Sequence, residues 1–269
     1  MIRLLFLTLI CFNQITLACE KPIKFQVGSF FDSASVVAFW GDFSNELAIK
    51  LKCPTNLHPS ATYKEHLMHT LSGNGDIFVV PFIYAKAFEK YQLKAAIKTT
   101  THTNTYLVTN KTINPNNLKS LAGVTIQLPS IHSEAYLSLK IKLKQEGIFE
   151  KVNFKFGHSF QASAIDVVKG KVAASIVFSP IFDALPQTIK SKVNYATLNQ
   201  GAQTGGVLMV KADASKALIH AIQTSYEKIK LLKWETTNTS ISDNKLSDIA
   251  SQQLMNIHKE VANQQNLKN

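Results

Sequence analysis

Residues 124–147 read VTIQLPSIHSEAYLSLKIKLKQEG, and the order of apolar and polar residues in this stretch decides the fold. It begins with an apolar, partly β-branched run, Val124 to Leu128, which is typical of a strand. A polar loop follows. Residues 133–146 then carry apolar side chains at a spacing close to helical, and Gly147 is a helix-ending residue. The stretch therefore predicts a strand, a short loop and a helix, which is the repeating unit of α/β proteins.

The same unit recurs on both sides of this stretch. Further strands are predicted at residues 23–27, 55–58, 77–80, 152–156, 173–178, 193–198 and 207–210. Further helices are predicted at residues 35–50, 62–72, 81–91, 159–169, 214–231 and 242–264. Strands that alternate with helices predict mostly parallel sheets whose faces are flanked by helices.

Two similar α/β halves predict two lobes. We expect residues 19–102 and 200–269 to form lobe 1, and residues 103–199 to form lobe 2. Thr103 to Thr109 is polar and β-branched, as expected of a strand that crosses between lobes, and the chain after Gly201 is expected to return. Two crossing segments would form a hinge. Open α/β sheets bind ligands beyond the carboxyl ends of their strands, so the cleft between the lobes is the predicted site.

The first residues have the pattern of a secretory signal peptide. Arg3 is followed by an apolar run from Leu4 to Phe12, and Thr16 and Ala18 supply small residues for a cleavage site. The apolar run is shorter than the roughly 20 residues that a membrane helix needs. We therefore expect residues 1–18 to be removed and the remainder to act in the periplasm of a bacterium.

Two cysteines remain after such a cleavage, because Cys11 leaves with the signal peptide. Cys19 precedes the first predicted strand and Cys53 precedes the second, so both would lie at one edge of a sheet if these strands are parallel neighbours. A disulfide between them is then reasonable in an oxidising compartment. The alternative is that Cys19 is the lipidated first residue of a lipoprotein, although Thr16 stands where a leucine is usual.

Charge and motif content narrow the function classes. The net charge is +11, from lysines that are spread along the chain, which favours anionic solutes. No nucleic-acid motif is present, so no nucleic-acid partner is expected. The sequence also has no nucleophile elbow, no HExxH helix, no P-loop and no paired metal-ligand cysteines. We therefore expect neither an enzyme nor a bound cofactor or metal.

Several short motifs, in order, are similar to those of one protein family. LKSLAGVTI at 118–126, PSIHS at 129–133 and FGHSFQA at 156–162 resemble the periplasmic phosphate, phosphite and phosphonate binding proteins of ABC importers. VKGKVAA at 168–174, GDIF at 75–78 and PFIY at 81–84 are also similar. The resemblance covers roughly residues 23–232 and implies the type 2 periplasmic-binding fold.

The resemblance also implies a set of ligand-binding residues. Ser130 and Ser133 precede a helix whose N-terminus could hold an oxyanion. His132 and His158 could donate hydrogen bonds, and Tyr84 could donate its hydroxyl from the opposite lobe. Each has an ordinary structural alternative: a capping serine, a surface histidine or a packed tyrosine.

The sequence departs from the family at two positions near this site. Phe30, the sixth predicted ligand-binding residue, and Phe31 stand where the family often has a tyrosine, and a phenyl ring cannot donate a hydroxyl hydrogen bond. Glu134 stands where the family's loop ends in glycine, and a carboxylate facing the cleft would repel a dianion. Because of these two changes, we expect the ligand to be a small oxyanion, and not specifically a phosphonate.

The expected role is capture of that solute, by a monomer, for the membrane permease of an ABC importer. The alternatives on the same fold are a ligand sensor for a membrane signalling partner and, less favoured, an enzyme. In both binding roles the lobes are expected to close on the ligand, and the partner would recognise the closed form.

Overall fold

The structure is a computed structural model that describes residues 19–28, 33–100, 102–157, 159–203, 206–229, 235–236 and 245–266. The predicted signal peptide and the predicted site residues Phe30 and His158 lie outside these described residues. The strands are β1 (Ile23–Val27), β2 (Thr55–Pro59), β3 (Ile77–Pro81), β4 (Leu93–Thr100), β5 (His102–Thr109), β6 (Thr125–Leu128), β7 (Asn153–Phe156), β8 (Ala174–Phe178), β9 (Asn194–Gln203), β10 (Gly206–Lys211) and β11 (Glu235–Thr236).

The helices are α1 (Ser33–Leu51), α2 (Tyr63–Leu71), α3 (Phe82–Glu89), α4 (Glu134–Gln145), α5 (Phe160–Val168), α6 (Ser179–Asp183), α7 (Gln187–Lys190), α8 (Lys216–Ile229) and α9 (Lys245–Asn266). Of the helices in the described residues, seven lie at predicted positions, whereas α6 and α7 have no counterpart among the predictions. Pro81 was predicted to begin α3 but closes β3 instead, because its ψ of 139° is extended and the helix begins at Phe82.

The strands form two separate sheets, which confirms the predicted two-lobed α/β fold. The first sheet has the strand order β11-β4-β10-β3-β1-β2, and the second sheet has the order β7-β6-β8-β5-β9. Helices flank both sheets. We refer below to the lobe of each sheet as the first lobe and the second lobe.

The expectation that both sheets are mostly parallel is wrong, since each is mixed. β1 pairs in parallel with β2 and β3, and β6 pairs in parallel with β7 and β8. The remaining pairs, which involve β4, β5, β9, β10 and β11, are antiparallel. Helix-connected repeats produce the parallel pairs. β4, β5, β9 and β10 lie where the chain leaves one sheet and enters the other, whereas β11 follows α8 at the edge of the first sheet.

The chain passes between the sheets at two places that lie side by side. β4 belongs to the first sheet and the next strand, β5, to the second; β9 belongs to the second sheet and β10 to the first. β5 and β9 pair from His102 opposite Gln203 to Thr109 opposite Asn194. Residues 103–109 are therefore an interior strand of the second sheet rather than the crossing itself. The predicted lobe boundary after residue 199 lies within β9.

The core has two parts. One face of the first sheet packs against α1 and α8 through a cluster that includes Phe25, Trp40, Phe43, Leu47 and Ile222. The other face lies beneath α2 and α3 and is continuous with the core of the second lobe. α9 joins this second cluster and packs on α2 and α3, which places the C-terminal helix on the first lobe.

The structure joins Cys19 and Cys53 by a disulfide, with their Cα atoms 5.1 Å apart. Ile23 of β1 pairs with Thr55 of β2, so the bond lies at the amino ends of two parallel neighbours. Among the described residues, no helix combines the length and the apolar character needed to span a membrane.

Candidate functional site

The loop between β6 and α4 is folded by the hydroxyl groups of its own serines. Ser133 is the N-cap of α4: its Oγ accepts from the Tyr136 N–H at 3.2 Å and donates to the Ser130 carbonyl at 2.7 Å. The Ser130 Oγ accepts from the His132 N–H at 3.1 Å. The hydroxyl proton of Ser133 is thus used within the loop, whereas that of Ser130 has no acceptor among the described residues.

Tyr84 of the first lobe reaches this loop of the second lobe. Its side chain is fully buried in α3, and its hydroxyl lies 2.8 Å from the His132 carbonyl oxygen and 2.7 Å from Oε1 of Gln253. Both partners are acceptors, so the single phenolic proton is shared between them. The loop at the start of α4 is therefore a place where the two lobes meet.

Gln253 of α9 contacts both lobes. Its Nε2 donates to the Ile131 carbonyl at 3.2 Å, while its Oε1 accepts from Tyr84. A carbonyl oxygen requires a donor, so Ile131 fixes the orientation of the side-chain amide. The C-terminal helix thus takes part in the site.

His132 is half-buried beside these groups, and its Nδ1 is buried without a hydrogen-bond partner among the described residues. Burial lowers the pKa of His132 below its ordinary value, and a hydrogen bond with the Gln253 side chain opposes this effect. The positive charge of Lys64 lowers the pKa further and the negative charge of Glu260 raises it. The imidazole is therefore neutral at pH 7 and can donate or accept one more hydrogen bond.

Glu134 begins α4, directly after the N-cap, and its side chain is half-buried between the lobes. Burial raises the pKa of its carboxyl group from 4.5 to about 8. Tyr63 of α2 also has a raised pKa, through burial first and then through the nearby Tyr84 and Glu134. At neutral pH the Glu134 carboxyl group is mostly protonated, and it can donate a hydrogen bond.

His66 of α2 has a structural role. Its Nε2 is 2.7 Å from the Val79 carbonyl oxygen, and its side chain is buried between α2 and β3. Burial lowers the pKa of His66 to about 4, against the opposing effect of this hydrogen bond. The neutral imidazole therefore ties α2 to β3 and is not exposed for a ligand.

The structure brings four of the six predicted ligand residues together: Tyr84, Ser130, His132 and Ser133. Tyr63 and Gln253 were not predicted. Tyr63 follows the carboxyl end of β2, where a ligand residue is expected, but its apolar spacing indicates only a core position. Gln253 lies 169 residues from Tyr84 along the chain, and no local pattern marks it.

Metal ligation has no support in the part of the chain that the structure describes. There, no group of three or more histidine, cysteine, aspartate or glutamate side chains is arranged to hold a metal ion. The site consists instead of hydroxyl, imidazole, carboxyl and amide groups around one helix N-terminus. These are the groups that bind a small polar solute through hydrogen bonds.

Comparison with known proteins agrees with this architecture. A binding protein component of an ABC phosphonate transporter from Pseudomonas aeruginosa has a TM-score of 0.65 at 13% identity, covering 93% of this chain and 98% of that chain. PhnD1 from Prochlorococcus marinus, in complex with methylphosphonate, has a TM-score of 0.65 at 14% identity, covering 89% and 91%. The periplasmic aliphatic sulphonate binding protein SsuA from Escherichia coli has a TM-score of 0.52 at 13% identity, covering 90% and 79%. These structures share the type 2 periplasmic-binding fold with this chain.

Sequence comparison identifies the family. No curated protein sequence is significantly similar to the chain. The family model for the periplasmic substrate-binding protein of the ABC phosphonate transporter, however, matches residues 25–230. This match covers most of the chain and confirms the resemblance seen in its motifs. The chain therefore belongs to the periplasmic substrate-binding proteins of ABC phosphonate transporters, which are binding proteins rather than enzymes and serve a membrane permease.

Proposed function

We propose that the protein captures a small oxyanion, of the phosphate, phosphite or phosphonate type, at the N-terminus of α4 and delivers it to its permease. The observation that carries this proposal is the contact of Tyr84 with the His132 carbonyl, because it places the start of α4 where the lobes meet. A helix N-terminus offers unpaired N–H groups and a partial positive charge to an anion.

Three side chains would supplement the helix N-terminus. Ser130 has a hydroxyl proton to donate, and the neutral His132 has an unused ring nitrogen. Ser133 supports the site indirectly, since its hydroxyl group caps the helix and holds the loop. His158 and Phe30 remain part of the proposed site, as a further donor and as an apolar wall.

Glu134 is compatible with an anionic ligand when its carboxyl group is protonated. Burial raises its pKa to about 8, so at pH 7 the group is mostly neutral and does not repel the ligand. A protonated carboxyl group can donate to an anionic oxygen. We therefore expect oxyanion binding to weaken as the pH rises above about 8.

Closure of the two lobes is the proposed mechanism. The two passages between the sheets lie side by side, since His102 and Gln203 pair at the end of β5 and β9. Adjacent passages allow rotation of one lobe against the other, as in hinged binding proteins. Small-angle scattering should show compaction at saturating ligand, and no compaction would contradict the hinge.

The ligand is identified by a thermal-shift screen of residues 19–269. The panel contains phosphate, phosphite, methylphosphonate, aminoethylphosphonate, sulfate, taurine and small carboxylates. A ligand at 100 times its dissociation constant adds about 2.7 kcal/mol to the stability, which raises the melting temperature clearly. We expect a shift with at least one phosphorus oxyanion. No shift with any anion on the panel would contradict the proposal.

Matched serine variants locate the site. Ser130→Ala removes the hydroxyl group that we propose as a ligand donor and should reduce the shift. Ser215 caps α8, where its Oγ accepts from the Leu218 N–H at 3.1 Å, so Ser215→Ala alters a serine away from the cleft. It should leave the ligand shift unchanged. If Ser130→Ala and Ser215→Ala show the same thermal shift with the ligand, the ligand does not bind at Ser130.

A further inference from the structure

We propose that α9 is a clasp across the cleft, in which Gln253 is the positioning residue that holds the α4 loop against the first lobe. This goes beyond solute capture, because it assigns the C-terminal helix a part in setting the balance between open and closed lobes. The proposal rests on the contacts that one side chain, that of Gln253, makes with both lobes.

The clasp is anchored on the first lobe. The buried side chains Ala250, Leu254, Ile257 and Val261 recur at helical spacing and form the face of α9 that packs on α2 and α3. Polar contacts support the same docking: Lys64 of α2 lies 2.6 Å from Glu260, and the rings of Tyr91 and His258 are 4.7 Å apart. α9 should therefore move with the first lobe.

Gln253 makes a hydrogen-bonded contact from this anchored helix to the second lobe, where α9 also lies against α4. Its Oε1 accepts from Tyr84, which belongs to the first lobe, and its Nε2 donates to the Ile131 carbonyl, which belongs to the second. One amide group thus bridges the lobes. Tyr84 makes a second bridge to the adjacent carbonyl, that of His132.

These two bridges orient the backbone of the loop. In a trans peptide group the C=O and the following N–H point in opposite directions. Gln253 holds the Ile131 carbonyl on one side, and Ser130 Oγ accepts from the His132 N–H on the other. Tyr84 and the Ser130 carbonyl hold the next peptide group in the same way. Loss of the Gln253 amide would release the loop and favour separation of the lobes.

Variants of two adjacent glutamines test the clasp. Gln253→Ala removes the contacts with Tyr84 and the Ile131 carbonyl together with the hydrogen bond to His132. Gln253→Glu keeps an oxygen near Tyr84 but places a second oxygen against the Ile131 carbonyl. Gln252→Ala is the matched control, since Gln252 is the exposed neighbour on the same helix. The readouts are hydrogen exchange of peptides covering residues 130–137 and the radius of gyration from small-angle scattering, both without ligand.

Both Gln253 variants should exchange the loop amides faster, by about fivefold for the loss of one hydrogen bond. They should also increase the radius of gyration, whereas Gln252→Ala should match the wild type. Unchanged exchange and size in both Gln253 variants would overturn the proposal. Faster exchange throughout the chain would overturn it as well, because it would indicate a general role in stability. Since no ligand is used, the result is independent of the solute identity.

Discussion

Burial in the folded chain changes the protonation of the Glu134 carboxyl group. Its carboxyl pKa is about 8 in the folded chain against 4.5 when exposed, so the folded state binds more protons between these values. Stability should therefore fall as the pH rises from about 4.5 to 8, and should change little from this group above that range. Glu134→Gln is neutral at every pH and should remove this decline. The measurement is the free energy of unfolding in urea between pH 5 and 9.

The control for this prediction lies at the other end of the same helix. Glu146 is exposed at the C-cap of α4, so Glu146→Gln removes a carboxylate without changing the cleft. It should leave the pH dependence of stability as in the wild type. The same slope in Glu134→Gln and the wild type would show that burial does not raise the pKa of the Glu134 carboxyl group.

The sequence predicted some residue roles but not others, for a physical reason. Ser130, Ser133 and His132 lie within one short loop, so a local motif brings them together. The protonation of Glu134 depends on how two lobes surround it, and the contact of Gln253 depends on how a distant helix docks. Neither property is present in the local pattern of residues.

Among the elements, α9 shows how a helix can be predicted while its place in the fold cannot. The spacing of Leu246, Ile249, Leu254, Ile257 and Val261 indicates an amphipathic helix, and the structure confirms it. Periodicity shows that one face must be covered but not what covers it. The contacts with α2 and α3 required the structure.

A pair of substitutions in α9 tests this packing. Leu254 is fully buried, and Leu254→Ala should lower the free energy of unfolding by about 2–5 kcal/mol, because it leaves a cavity between α9 and the first lobe. Met255 is 48% exposed, so Met255→Ala should change stability little. Denaturant unfolding of both variants provides the comparison. Equal, small effects would mean that α9 does not pack on the first lobe.

For some strands, even the presence of the element could not be predicted from the sequence. Helix-connected strands such as β1, β3 and β6 were predicted well, because apolar runs and turn residues mark them. β4 has no counterpart among the predicted strands, and β9 continues beyond the predicted end at Leu198. Both pair antiparallel where the chain passes between sheets, so their strand character comes from a partner that is distant in sequence.

At the scale of the whole molecule, the sheets, the α4 loop and the C-terminal helix meet at one place between the two lobes. Two sheets are joined by adjacent passages, and a helix N-terminus from one lobe meets Tyr84 from the other. The C-terminal helix then bridges the two lobes through Gln253. A net charge of +11 adds a long-range field that attracts anions, which suits a binding protein whose proposed solute is an oxyanion.

The disulfide also bears on the state of the mature N-terminus. We expect a chain that begins at Cys19 and carries the Cys19–Cys53 disulfide, which joins residues 34 positions apart. Lipidation of Cys19 would use the same sulfur atom, so the two fates exclude each other. Mass spectrometry of protein from the periplasm should show no lipid and no reaction with iodoacetamide before reduction. A lipid-modified Cys19 or two free thiols would contradict the prediction.

We expect reduction of the same disulfide to lower the stability of the protein. A closed loop of this length should contribute on the order of 3–4 kcal/mol, because it restricts the unfolded chain. Reductant should lower the melting temperature of the wild type, whereas Cys53→Ser, which cannot form the bond, should start lower and not respond. A reductant effect in Cys53→Ser equal to that in the wild type would show that another group is responsible. A wild type insensitive to reductant would show that the bond does not stabilise the amino edge of the first sheet.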